Sequence, residues 1–183
     1  MTTEVNWVLE QLGSVVDDVA NSYTNRNDNP VALKRVNRDD SSVYEGGGSL
    51  DFNEPMHKRK EDLKSGVFVG ATLADRAEDP AGTEYNLKIE TVVGLTVEGM
   101  TSQGGLHGHV DPDGENGIPF TELVRKIRRT LLASDTRAYP DPGVPNTSYH
   151  DLIPTSNDPQ SAEYRDFYRW QGDFAFRGYE SLP

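Results

Sequence analysis

The chain has 183 residues, 18 Lys+Arg against 30 Asp+Glu, a net charge of −12, and no cysteine. This length suits one domain with extensions. Disulfides, thiolate metal sites and cysteine nucleophiles are excluded, and so acidic a surface is a poor overall match for nucleic acid or an anionic membrane. No apolar run approaches the ~20 residues of a membrane span, and the N-terminal residues show no basic stretch with an apolar core, so no secretory signal is expected. Lysine is scarce and the acidity is spread along the chain, which points to a protein that stays soluble at very high salt.

Val5, Val8, Leu9, Leu12, Val15, Val16 and Val19 recur at helical spacing, so one amphipathic helix is expected, capped by Thr3 and ending near Asn21-Ser22. A short strand is expected over Val31 to Val36. Residues 38–63 have no period and contain Gly46-Gly47-Gly48-Ser49, so they read as a loop or extended arm. The centre is the best-patterned region. Val67, Val69, Ala71 and Leu73 alternate with Phe68, Gly70, Thr72 and Ala74. A turn follows from Ala77 to Thr83, and Tyr85, Leu87, Ile89, Thr91, Val93, Leu95 and Val97 alternate again. That pattern predicts a long antiparallel hairpin with Gly94 marking a bulge or bend.

Residues 101–117 form a glycine-rich polar loop. Its His107, His109, Asp111 and Asp113 are the candidate metal ligands, since imidazole and carboxylate groups at this density suit a divalent cation. Histidines two apart point to one side of an extended segment. The glycines make the loop flexible, however, and ordering it costs about 1–2 kcal/mol per residue. No tightly held metal, no cofactor and no catalytic residue is therefore expected, and the His107→Ala, His109→Ala double variant should assemble like the native chain.

A second helix follows, with Pro119 in its first turn and Phe120, Leu123, Val124, Ile127 and Leu131 on its apolar face. Arg125, Lys126, Arg128 and Arg129 on its other side concentrate positive charge. Arg125, Arg128 and Arg129 are the candidate interaction residues, toward acidic surface on another copy or toward phosphate. Residues 134–147, with three prolines, should be irregular. An apolar patch runs from Tyr149 to Ile153, and a final strand spans about Arg165 to Tyr179, with Tyr168, Trp170, Phe174 and Phe176 on its core face. The expected fold is α+β: a two-layer, single domain over 1–183, with two helices on one face of a mainly antiparallel sheet. Long inserts are expected at about 38–63, 101–117 and 134–162.

The element order resembles the tail terminator, or tail completion, proteins of head-tailed viruses. The matching features are the helix from Val5 to Val19 and the hairpin ending near Val97-Glu98-Gly99. A loop then leads into Phe120-Thr121-Glu122-Leu123-Val124-Arg125-Lys126-Ile127, and an aromatic strand closes the chain from Tyr168 to Tyr179. The resemblance implies a structural virion protein with no active site. Such a subunit forms a homo-oligomeric, typically hexameric, ring that joins the tail tube to the neck. Its partners would be further copies, the major tail tube protein and neck or connector proteins, with DNA contact at most in the lumen and none with membrane. It would reside in the virion, and in the host cytoplasm during assembly. The composition adds a salt-loving archaeal host. The long inserts leave another head-tail connector or head-completion protein as the neighbouring alternative, with a metal-dependent enzyme using the 107–115 loop as the distant one.

Overall fold

The first helix is interrupted, and the cause is a side chain. In the computed structural model, which describes residues 3–82, 86–163 and 165–182, the expected single helix is two: α1 (Glu4–Gln11) and α2 (Gly13–Ser22). Thr3 caps α1 as expected, its Oγ1 accepting the Asn6 N–H at 3.2 Å. At the break, Arg35 Nη1 donates to the Leu9 carbonyl at 2.8 Å. That carbonyl is the one the Gly13 N–H would take in a continuous helix, so the guanidinium enters the i→i−4 ladder and ends it. Leu12, at the corner, is fully buried.

The other elements are β1 (Leu33–Asn37), β2 (Ser42–Val43), a 3-10 turn at Met56–Lys58, α3 (Lys60–Ser65), β3 (Val67–Pro80), β4 (Asn86–Met100), α4 (Phe120–Leu131), α5 (Ser134–Arg137), β5 (Thr147–Pro154), β6 (Asp158–Pro159), a 3-10 turn at Ser161–Glu163, and β7 (Phe167–Ser181). One sheet runs β2-β1-β3-β4-β7-β5, with β6 also on β7. Every pairing is antiparallel except β1 with β3. The class is α+β with a mainly antiparallel sheet, as the patterning predicts. Thr83 and Tyr85, assigned from sequence to the hairpin turn and strand, lie outside the described residues.

The alternation of β3, β4 and β7 sorts two faces. Val67, Val69, Ala71, Ile89, Val93, Leu95, Val97, Phe174 and Phe176 join α1, α2 and α4 in the main core. Trp170 is buried there too, and Tyr168 packs against it, so the aromatic stripe is core as expected. Gly94 marks no bulge: it sits in an unbroken ladder between Thr72 and Asp173, and the irregularity falls in β3 between Leu73 and Asp75. Pro119 caps α4 from outside its first turn, α5 makes one helical turn where none was expected, and β7 lies two residues later than predicted.

The opposite face is covered in part by the segment read as a free arm. Leu50, Phe52, Met56 and Leu63 pack with Val36, Phe68 and Met100 in a second, smaller core. Above it lies a buried ion pair: Arg59 Nη2 donates to both carboxylate oxygens of Glu98, at 2.9 and 3.1 Å. Their side chains are 2% and 0% exposed. Arg59 Nε also donates to the Glu54 carbonyl at 2.8 Å, and Arg169 Nε lies 3.8 Å from Glu98. Arg38, whose Nη1 donates to Thr96 Oγ1 at 2.9 Å, stacks over Phe52.

One stretch of sheet is left open. β1 pairs β3 only as far as Ala71. The Leu73 N–H donates to Asp39 Oδ2 at 3.4 Å. Beyond it, among the described residues, β3 has β4 as its only strand partner, and residues 73–80 are all exposed. They carry Asp75, Glu78 and Asp79 against Arg76, plus Leu73, which is 48% exposed. A bulge, charges and Pro80 are devices that stop such an edge pairing with its own kind.

Candidate functional site

The basic residues of the second predicted helix divide between two tasks. Phe120, Leu123, Ile127 and Leu131 bury one stripe of α4. Glu122 sits in the first turn and Arg128 and Arg129 in the last, each favourable to the helix dipole. Lys126 faces α2: its Nζ donates to Asp18 at 2.5 Å, and that hydrogen bond raises its pKa. It ties two helices together. Arg125, Arg128 and Arg129 lie on the flank that faces the end of the sheet.

Across from that flank, Asn157, Pro159 and Ser161 form a wall. Pro159 pairs with Trp170 in the β6–β7 ladder, the Trp170 indole N–H donates to Asn157 Oδ1 at 2.6 Å, and the Arg169 N–H donates to Ser161 Oγ at 3.2 Å. Wall and helix enclose a groove of about 610 Å³. Its floor is apolar, from Phe120, Val124, Leu132, Pro159 and Trp170, and Arg125, Arg128 and Arg129 rim it. This volume lies within the range of ordinary binding sites. Arg125 is paired with Glu122 at 2.6 Å. Arg128 is different: its Nε is buried and has no hydrogen-bond partner among the described residues, and the side chain as a whole is only partly exposed.

Sequence patterning places the three arginines on one helix face, and the structure brings them together. The groove's far wall is missed, because residues 157–161 have no period of their own. Pro159 amid polar residues is the one local signal, and it marks an edge strand only once β7 is known to lie beside it.

The 101–117 loop is ordered where flexibility is expected. Val110 bridges Thr101 on one side and Ile118 on the other, and Val110 and Ile118 are fully buried. Gly108 is there for close approach, since a Cβ would overlap the Met100 carbonyl. His109 is 4% exposed. Its Nδ1 accepts the Ala32 N–H at 3.3 Å and its Nε2 lies 3.2 Å from the Lys64 carbonyl. Those partners fix a neutral ring with the proton on Nε2, joining the loop to the start of β1 and the end of α3. Asp111 is equally engaged: it accepts the N–H groups of Asn116 at 2.9 Å and Asp113 at 3.1 Å. Burial opposes its charge, yet these bonds and Gln103 hold its carboxyl below the usual range. Asp113 is exposed, and His107 turns aside in a left-handed conformation at φ 56°. Among the described residues no three His, Asp or Glu side chains gather as a metal site. His109 is thus a strut between three segments.

Burial first, and Lys34 second, against the Lys64 carbonyl, hold the His109 pKa below its ordinary 6.5. The unfolded chain then binds a proton that the folded chain refuses, so stability is full above pH 6.5 and falls as the pH drops through the folded value. The slope from this group is at most about 1.4 kcal/mol per pH unit. His109→Ala orphans the Ala32 N–H and the Lys64 carbonyl, a loss of roughly 2–4 kcal/mol. Urea midpoints from pH 7.5 to 5 should fall more steeply for the native chain than for His109→Ala. Parallel slopes would contradict the buried neutral imidazole.

No protein-family model matches the chain, and a comparison with curated proteins finds no relative.

Proposed function

We propose that this chain is a structural subunit of a head-tailed virus, a ring-forming tail terminator that joins the tail tube to the neck. The observation that carries the reading is that one subunit presents two unmatched surfaces of opposite character. One is the open acidic edge of β3; the other is the arginine-rimmed groove of α4. Different patches on one chain that fit one another make a heterologous contact, and such a contact closes into a ring when its rotation permits. The order of elements resembles the terminator family over nearly the whole chain, apart from the long inserts at 38–63, 101–117 and 134–162. The chemistry inside the chain agrees with a scaffold: His109 and Asp111 are spent on ordering a loop, and Tyr149 is spent on the core. The Tyr149 hydroxyl donates to Glu4 at 2.6 Å, and burial followed by that bond raises its pKa.

In this reading the partners are further copies, the tube protein below and the neck proteins above. A net charge of −12 per subunit disfavours sticking of DNA that passes through the lumen. The protein works in the host cytoplasm during assembly and then in the virion. A host that keeps high internal salt fits the shortage of lysine.

The test is native mass, measured in dilute buffer and in multimolar salt, with and without purified tail tubes. A ring-sized species, or a stoichiometric cap on tube ends, is the expected result. A strict monomer that leaves tubes uncapped in both buffers would overturn the reading.

A further inference from the structure

We infer that the two unmatched surfaces are one contact: the free edge of β3 of one copy, residues 73–80, seats in the α4 groove of the next. This rests on the ring-forming reading and names the interface within it.

Charge selects the pairing. The edge carries three carboxylates against one guanidinium, and that guanidinium is engaged, since Arg76 pairs with Glu78 and with Glu180. Edge against edge would oppose Asp75, Glu78 and Asp79 with their own copies, a like-charge contact that is destabilising. Groove against groove would do the same with Arg125, Arg128 and Arg129. Edge against groove satisfies both, and among the described residues neither Arg128 nor Arg129 has an ion-pair partner within its own chain.

Shape and polarity agree. The groove floor of Phe120, Val124 and Trp170 needs an apolar occupant beneath its charged rim. The edge offers Leu73 and Ala77, both exposed, beside its carboxylates. Its outward backbone carbonyls, which no strand among the described residues takes beyond Leu73, add acceptors to the carboxylates that the arginine rim can meet. Because the two patches differ, each copy uses one on each side, and the contact propagates around a ring without a two-fold axis. A floor of aromatic and aliphatic groups also lets the contact persist at high salt, where the Debye length falls to about 3 Å and rim charges weaken.

The absence of cysteine permits a direct test in the full chain. A Leu73→Cys protein is mixed with a Val124→Cys protein under mild oxidation. A mixed disulfide dominating over either homodimer is expected. Homodimers alone, or no cross-link within an assembled ring, would overturn the contact. In parallel, R125E/R128E/R129E and D75K/D79K should each weaken self-association at least about tenfold in dilute buffer, with circular dichroism and urea midpoint retained. Combining the two sets in one chain should restore the ring, since the charges match again. A ring that survives both reversals overturns this interface and leaves the ring-forming reading standing. Loss from the groove variant alone means that the groove takes another acidic partner or DNA, and also overturns it. A native chain that stays monomeric, with uncapped tubes, overturns both.

Discussion

Replacing Arg59 with alanine should cost about 3–5 kcal/mol, because it strands the fully buried Glu98 carboxylate without its partner. At this chain length that is a fall in Tm of roughly 6–20 °C. Glu98→Ala should cost a similar amount, leaving a guanidinium with 2% exposure and Arg38 and Arg169 nearby without their shared anion. The pair is not expected to be worth that much as a pair. Two charges taken from water repay their desolvation only in part, so an apolar replacement of both is often neutral or better. Arg59→Met with Glu98→Leu should therefore recover a substantial part of either single loss. Urea denaturation of the native chain, Arg59→Met, Glu98→Leu and the double variant completes the cycle. Additive losses in the double variant would mean that the two side chains act independently, and would contradict the coupling that their 2.9 Å contact implies.

Phe176→Ala should cost about 3–5 kcal/mol by leaving a cavity at the joint between sheet and first helix. The ring is fully buried, edge-on to Trp7 at 5.5 Å and tilted against Tyr149 at 5.1 Å. Trp7 belongs to α1 and Tyr149 to β5, so this one side chain links three elements distant in sequence. Phe176→Leu should lose much less, since it keeps most of the volume. Tyr179→Ala, on the same strand but 47% exposed, should stay within about 0.5 kcal/mol. Urea midpoints with an unchanged slope are the measurement. Equal losses at 176 and 179 would show that the strand, and not the packed ring, carries the stability.

For assembly these two sites and the groove are separate matters. Phe176 and the Arg59–Glu98 pair hold the subunit together from its two faces. In the proposed ring the contact charges lie on the open edge and the groove rim, and reversing them is expected to leave both cores packed, although Phe120 and Trp170 of the groove floor belong to the main core. That separation makes a folded but unassembled variant attainable.

Periodicity settled a good deal by itself. The alternation from Val67 to Leu73 and from Leu87 to Val97 is enough to draw the hairpin, because neighbours on a pleated strand face opposite ways whatever lies beyond. The spacing of Phe120, Leu123, Ile127 and Leu131 likewise fixes α4 and which of its faces is basic. The aromatic run of β7 declares itself as core. Periodicity fails wherever a partner far along the chain overrides a local pattern. Val5 to Val19 read as one helix until Arg35, 26 residues from Leu9, takes the Leu9 carbonyl. Glu98 alternates as a solvent-facing residue, yet residues 49–66 fold over it and Arg59, 39 positions away, neutralises it. His109 and Asp111 read as candidate ligands in a flexible loop where no metal is expected, and become its struts through Ala32, 77 residues off, and through the turn to Asn116. The groove shows both limits at once: its arginines follow from helical spacing, while its far wall exists only because β6 pairs with β7. A pattern reports the face of one element, and only the packed chain decides what meets that face.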